Sequence, residues 1–241
     1  MSWTVSSKQY VPADSSLVFA VDAGYSPSYP GSGTTWADLT NTNNAVLTNG
    51  PTYDSANGGS IVFDGINDHA ITSSTALNLS GAHTISAFVS PDFASSSSTG
   101  RAIFDFSNAG GTIRSYLRWE GPSLGFYWDG VVSSGNCFAR TTTAPSFSAG
   151  SWIHICVALT FSSNSYTNAQ FYVNGNSVAT TVGNAPSTIA GLSSQPIKIG
   201  LGSINSYYWK GKISTVSLFT KTLAAGEVLS LFNLYKGRYG L

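Results

Sequence analysis

Short apolar runs recur every 8 to 15 residues along the chain, and each is ended by Gly, Ser, Asn or Pro. That rhythm leaves little room for long helices and is the pattern of an all-β sandwich or barrel. The predicted strands are 17–22, 60–63, 69–71, 83–89, 101–106, 116–119, 124–127, 152–161, 169–173, 176–180, 197–200 and 211–219. In the 152–161 segment one face carries Ile153, Ile155, Val157, Leu159 and Phe161, and the other carries Trp152, His154, Cys156 and Ala158. A strand covered on both faces belongs in the middle of a layered sheet. Asn174-Gly175 separates two strand-like runs, and this dipeptide favours a two-residue hairpin because both central residues take positive φ.

One helix is predicted near the C-terminus. Thr222 is its expected cap, Glu227 sits in an early turn where the helix dipole favours a carboxylate, and Gly237 is its expected end. Val228, Leu231, Phe232 and Tyr235 follow i, i+3, i+4, i+7 spacing, which turns one face towards a sheet. No fixed-period repeat or linker divides the 241 residues, a length that all-β folds use as one domain.

Charge narrows the choice of partners. Only 9% of residues are charged, and eleven Lys and Arg balance eleven Asp and Glu. A general nucleic-acid binder needs a basic surplus to neutralise phosphates, and a polybasic membrane-surface protein needs one too. Neither is expected here. No apolar run is long enough to span a bilayer, and residues 1–12 lack the apolar centre of a signal peptide. Cys137 and Cys156 read as two free thiols, since a domain of this size needs no disulfide staple.

Candidate binding residues are aromatic. Trp119, Phe126, Tyr127 and Trp128 fall close together with Asp129 adjacent, and Tyr207, Tyr208 and Trp209 form a second group. A ring beside a carboxylate can hold a sugar, with the ring face stacked on the sugar and the polar group fixing its hydroxyls. The candidate carbohydrate-binding set is therefore Trp119, Trp128, Asp129, Tyr207, Tyr208 and Trp209, weighed against the alternatives that such rings are core or assembly contacts. Asp64-Gly65-Ile66-Asn67-Asp68 offers oxygen ligands for Ca²⁺ but reads first as a turn in which Asp accepts backbone N–H bonds. No metal or cofactor site is assigned. His69, His83 and His154 stand apart from any nucleophile motif.

Five segments carry a family resemblance: 17–40, 44–71, 150–161, 170–178 and 218–241. In order and spacing they resemble the laminin-G-like branch of the concanavalin A-like lectin/glucanase superfamily. The resemblance implies an all-β, two-sheet antiparallel jelly-roll sandwich with one short C-terminal helix. Glucanases of that superfamily use an E-x-D-x-x-E cluster of carboxylates. This chain has only Glu120 and Glu227, with no carboxylate two or four residues from Glu120, so no enzymatic activity is expected.

The style of W-x-D-L-T (36–40), F-D-G-x-N-D (63–68) and N-x-x-K-G-R-Y-G-L (233–241) is similar to domains of tailed-bacteriophage virion proteins. It implies a non-enzymatic virion accessory protein, a capsid decoration or head-fibre component. The alternatives are a tail-associated adhesin and a free lectin binding host glycans. The expected partners are other virion proteins and further copies of the chain, with a trimer as the analogy-based number. The resemblance begins at Leu17, so residues 1–16 are expected to form an attachment arm, with Trp3, Val5, Tyr10 and Val11 as its apolar anchors, and residues 17–241 the jelly roll.

Overall fold

The computed structural model describes residues 14–40, 43–73, 77–79, 81–108, 114–123, 125–132, 135–162, 165–183, 193–202 and 206–241. Trp3, Val5, Tyr10 and Val11 lie outside them. Among the described residues the chain forms two large antiparallel sheets packed face to face. The first runs Asn176–Ser177, Ser165–Val173, Ile153–Ser162, His83–Pro91, Lys210–Phe219, Ser60–Asp64 and Thr52–Asp54, with Leu17–Asp22 also paired to Lys210–Phe219. The second runs Thr180–Gly183, Gly135–Thr141, Phe126–Val132, Arg114–Trp119, Arg101–Ser107, Ile197–Ile199, His69–Thr72, Ala45–Thr48 and Thr35–Trp36. This is the expected jelly-roll sandwich.

Strand alternation sends one row of each sheet into a shared core. Phe19, Phe63, Ile85, Val89, Phe104, Phe106, Leu117, Trp119, Phe126 and Trp128 are fully or almost fully buried there. Burial of each such side chain contributes about 1.5–3 kcal/mol. Ile153–Ser162 lies between Ser165–Val173 and His83–Pro91. Its Ile153, Ile155, Val157 and Leu159 join this core, while Cys156 and Ala158 join a second one beneath the helix. Asn174 and Gly175 take φ of 49° and 76°, the positive values their hairpin requires. Both cysteines are buried and free.

The helix spans Ala225–Tyr239 and departs from expectation at both ends. Thr222 does not cap it; its hydroxyl donates to the Leu159 carbonyl, and Ala224 takes the N-cap position with its N–H donated to Glu227 Oε2 at 2.8 Å. Gly237 does not end it; Gly240 does, with φ of 70°. Tertiary bonds hold the extra turn. Arg238 Nη1 grips both oxygens of Asp22 at 2.9 and 2.7 Å, its Nη2 donates to Ser214 Oγ, and Tyr239 Oη donates to the same oxygen. Val228, Leu231, Phe232, Tyr235 and Tyr239 then pack on Phe88, Cys156, Ala158, Tyr172 and Phe219, which seals the outer face of the first sheet.

Several strand boundaries also shift. The strand expected at 124–127 runs Phe126–Val132, the one expected at 169–173 begins at Ser165, the one expected at 176–180 divides into Asn176–Ser177 and Thr180–Gly183, and Gly135–Thr141 was not expected. Of the arm expected over 1–16, residues 14–16 are described, and they join the sandwich. Leu17 N–H and Thr220 N–H donate to the Asp14 and Ser16 carbonyls, and Asp14 pairs with Lys221 at 2.8 Å.

Two buried histidines tie pH to stability. His83 crosses the core: its Nδ1–H donates to the Gly81 carbonyl and its Nε2 accepts from Ser115 Oγ, both at 2.9 Å. Ser115 Oγ in turn accepts the Trp128 indole N–H at 2.8 Å. His154 lies under the helix against Phe88 and bonds Ser86 Oγ. Burial pulls the His83 pKa down to about 4 and that of His154 down to about 3. Below about 6.5 the unfolded chain takes up a proton on each ring while the folded chain does not. Stability is therefore complete above that pH and is lost as pH falls towards 4. Each ring adds a slope of about 1 kcal/mol per pH unit. Urea midpoints measured from pH 7 to pH 5, where most carboxylates stay ionised, are expected to fall steadily; a flat profile would contradict the buried neutral rings.

Candidate functional site

The helix covers one sheet only. On the second sheet, the strand positions that alternate with the core row point away from the core. Cross-strand register sets Lys198 beside Asp105, Asp105 beside Tyr116, Tyr116 beside Asp129, and Asp129 beside Phe138. In the same way Arg118, Tyr127 and Arg140 are aligned. Arg114, Arg118, Arg140, Lys198, Asp105, Asp129 and Glu120 all stand on this face, so a chain poor in charge concentrates it here.

Planar groups form a ladder across four of these positions. Phe138 and Tyr127 stack with centroids 5.5 Å apart at 15°. The Arg118 guanidinium lies 4.5 Å from the Tyr127 centroid and 4.8 Å from that of Tyr116, so it is held between two rings. Such cation–π contacts strengthen as the cation is desolvated. Two carboxylates grip the guanidinium: Glu120 bonds Nε, and Asp129 Oδ2 lies 3.0 Å from Nη1 and 3.2 Å from Arg114 Nη2. Beside the ladder Lys198 Nζ donates to the Ser107 carbonyl at 2.9 Å and faces Asp105 at 3.9 Å.

Most of this array is buried, and its electrostatics follow. Burial disfavours the Arg118 cation, but Asp129 and Glu120 outweigh it and hold its pKa above the ordinary value. Burial raises the Asp129 carboxyl against the opposing pull of Arg118 and Arg114. Burial likewise pushes the Tyr116 phenol well up, against the pull of Arg118. Tyr116 Oη and Asp129 Oδ1 are buried out of reach of solvent, and neither has a hydrogen-bond partner among the described residues. Gly202 packs against the Tyr116 hydroxyl so closely that a Cβ there would stand 1.7 Å from it.

A family model described as the concanavalin A-like lectin/glucanases superfamily, of laminin-G type, matches residues 63–229. The chain belongs to that superfamily. No curated protein sequence matches it. Among solved structures it is similar to domain 4 of a GH43 extracellular arabinanase from Geobacillus stearothermophilus, in complex with arabinotriose. That likeness has a TM-score of 0.66 at 16% identity over 89% of this chain and 97% of that one. The botulinum neurotoxin serotype D binding domain gives 0.65 at 11% identity over 90% of this chain and 51% of that one. Trypanosoma rangeli sialidase with the inhibitor DANA gives 0.59 at 16% identity over 90% and 32%. The chain thus spans about half of the toxin domain and a third of the sialidase, and at these identities the likeness speaks for the fold.

Within this lectin-like sandwich the six candidate sugar-contacting residues separate. Trp119, Trp128 and Trp209 are fully buried and offer no ring face to a ligand, which corrects their reading as stacking residues. Alternation turns all three inward, where Trp119 and Trp209 pack on Phe93. Tyr207 and Tyr208 are partly buried; Tyr207 pairs with Gly202, which packs on the Tyr116 hydroxyl, the Tyr207 ring lies over Gly100, and the Tyr208 carbonyl accepts from Arg101. Asp129 alone of the six joins the ladder. Tyr127 and Glu120 were noted but left out of the set, and Arg114, Tyr116, Arg118 and Phe138 were not singled out, although the alternation in Arg114-Ser115-Tyr116-Leu117-Arg118-Trp119 was there to find three of them. Asp64 accepts the N–H groups of Ile66, Asn67 and Asp68, which is the turn expected of it.

Replacing Arg118 with Met keeps much of its length and removes its charge, leaving the buried Asp129 and the half-buried Glu120 without their shared cation. The loss of one member of a buried ion cluster costs about 3–5 kcal/mol. Chemical denaturation of Arg118→Met is expected to show a loss of that order; an unchanged midpoint would mean the ladder is a surface decoration.

Proposed function

We propose that the chain is a non-catalytic, glycan-binding β-sandwich module carried on a tailed-phage particle. What supports binding is the lectin-like sandwich itself, similar to the arabinanase domain seen with arabinotriose, together with the partly exposed Tyr127, Phe138 and Arg140 beside a rigid charged ladder. A preorganised set of polar groups flanked by rings is what a ligand site needs.

Catalysis is disfavoured by the same geometry. Register pairs Asp129 with Tyr116 and leaves Glu120 past the strand end, opposite Gly125, so the two carboxylates meet only through Arg118. A retaining glycosidase holds its two carboxyl groups about 5 Å apart around the scissile bond. Here the Arg118 guanidinium bonds both and occupies the space between them. No reducing sugar is expected to be released from β-glucans or arabinans.

The particle half of the proposal rests on the phage-like segments at 36–40, 63–68 and 233–241, and on the near absence of net charge, which favours close packing between subunits. Capsid decoration and tail adhesion both accommodate a glycan site. Residues 1–12 would supply the attachment, and the copy number is the trimer of the analogy.

Tyr127→Ala tests the binding half, because it removes a partly exposed ring and leaves the Arg118 ion pairs in place. On a glycan array the full chain is expected to retain a defined set of sugars, and Tyr127→Ala to lose them while the domain stays folded. Equal binding by the variant would move the site elsewhere. Co-purification of the chain with intact particles tests the other half; its absence from particles would remove the virion role without touching the glycan site.

A further inference from the structure

Resting on the glycan-binding reading, we infer that the rim of the second sheet takes an acidic glycan, whose carboxylate or sulfate group is received by Arg140. Charge pairing points there first. On this face Arg118 pairs with Asp129 and Glu120, Arg114 with Asp129, and Lys198 with Asp105. Arg140 stands on the same face, in register with Tyr127, and has no ion pair among the described residues. It is partly exposed, so a ligand can reach it. A guanidinium is always charged and presents its N–H donors in a planar fork that suits an oxyanion. Asp129 and Glu120 are both held by Arg118 and do not compete for it.

The neighbours of Arg140 are donors as well. Register places Tyr127 on one side of it and Thr181 on the other, with neighbouring Cβ atoms about 4.5–5.5 Å apart on one face. Burial, with Asp129 next, holds the Tyr127 phenol above its ordinary pKa, against the pull of Arg118 and Arg140. The phenol therefore keeps its proton and can donate it to a hydrogen bond. The Thr181 hydroxyl bonds that of Thr142 at 3.1 Å on the surface, and one of the two is free to turn its proton outward. Thr180–Gly183 is an edge strand, so this corner opens sideways to solvent. An oxyanion only accepts, and a corner built of donors around one unpaired cation is the complement of it.

The body of the sugar has an apolar surface to lie on. Phe138 is two residues before Arg140 on the same strand and so shares its face. It is partly exposed and stacks on Tyr127. A Cβ on Gly183 would stand 2.1 Å from the Phe138 ring, so the bare backbone there lets the ring lie down over the edge strand. A pyranose can rest its C–H face on such a ring while its acid reaches the guanidinium beside it. A neutral sugar gains the ring contact alone and leaves the Arg140 charge unanswered. The chain has no net charge, so a preference for acids has to come from this local excess and not from the overall field.

The experiment is calorimetric titration of the full chain with lactose and arabinotriose as neutral probes, sialyllactose and trigalacturonate as carboxylated ones, and sulfated lactose. The three lactose compounds share a core and differ in the acid, so they tell carboxylate from sulfate. At least one acidic probe is expected to bind about tenfold or more tightly than either neutral one, the worth of one charge-assisted hydrogen bond. Arg140→Gln breaks no ion pair and is expected to leave Tm unchanged while it lowers acidic binding to the neutral level. Lys236 lies in the last turn of the helix against Phe232, under the other sheet's cover, and Lys236→Gln is expected to leave the preference intact. A preference that survives Arg140→Gln, or that Lys236→Gln removes, would overturn the inference. Neutral probes binding as tightly as acidic ones, and lost in Tyr127→Ala, would overturn it while keeping the glycan reading. If no sugar of either kind binds, both fall.

Discussion

Arg238 in the last turn of the helix grips Asp22 with both carboxylate oxygens and shares Ser214 with Tyr239. Asp22 and Ser214 are both buried in the first sheet. This clamp fixes where the helix lies, and the helix decides how each sheet must be written. The sheet beneath it has apolar side chains on both faces, with Phe88 touching Phe232, Tyr235 and Tyr239. The other sheet receives no helix among the described residues. Its outward row therefore has to be made of groups that satisfy one another, and it is made of arginines, carboxylates and rings.

A buried polar array of this kind adds little net stability. Replacing a buried ion pair by apolar residues of similar volume is often neutral or favourable. The ladder is therefore better understood by its stiffness. Arg118 is restrained by a ring on either side and by a carboxylate at each of two nitrogens. Its neighbour Tyr127 is held in turn between Arg118 and Phe138. Holding binding groups in place before the ligand arrives reduces the entropy lost on binding.

Much of the scaffold was legible in the sequence because it is local. The two apolar faces of Ile153–Ser162, the Asn174-Gly175 hairpin and the apolar stripe of the helix each lie within a dozen residues or so. The helix ends were not, because the competing bonds are distant: Thr222 is drawn to Leu159, and Arg238 and Tyr239 to Asp22 and Ser214. Trp119 and Trp128 were visible as aromatics, but which face they occupy depends on strand phase. The ladder depends on more still. It needs the register of Arg114–Trp119, Phe126–Val132 and Gly135–Thr141, and the last of these, reading Gly-Asn-Cys-Phe-Ala-Arg-Thr, has weak strand character on its own. Asp129 could be singled out; its partner Arg118 could be found only once the strands were paired.

The central claim is that the sandwich binds a sugar at the rim of the second sheet, around Tyr127, Phe138 and Arg140. Amide chemical-shift mapping of the labelled chain during titration with arabinotriose addresses it most directly. The expected result is a saturable set of shifts centred on Phe126–Val132 and Gly135–Thr141, with the helix Ala225–Tyr239 silent. Shifts confined to Tyr207 and Tyr208 or to the helix, or no saturable shift on the ladder strands, would contradict it.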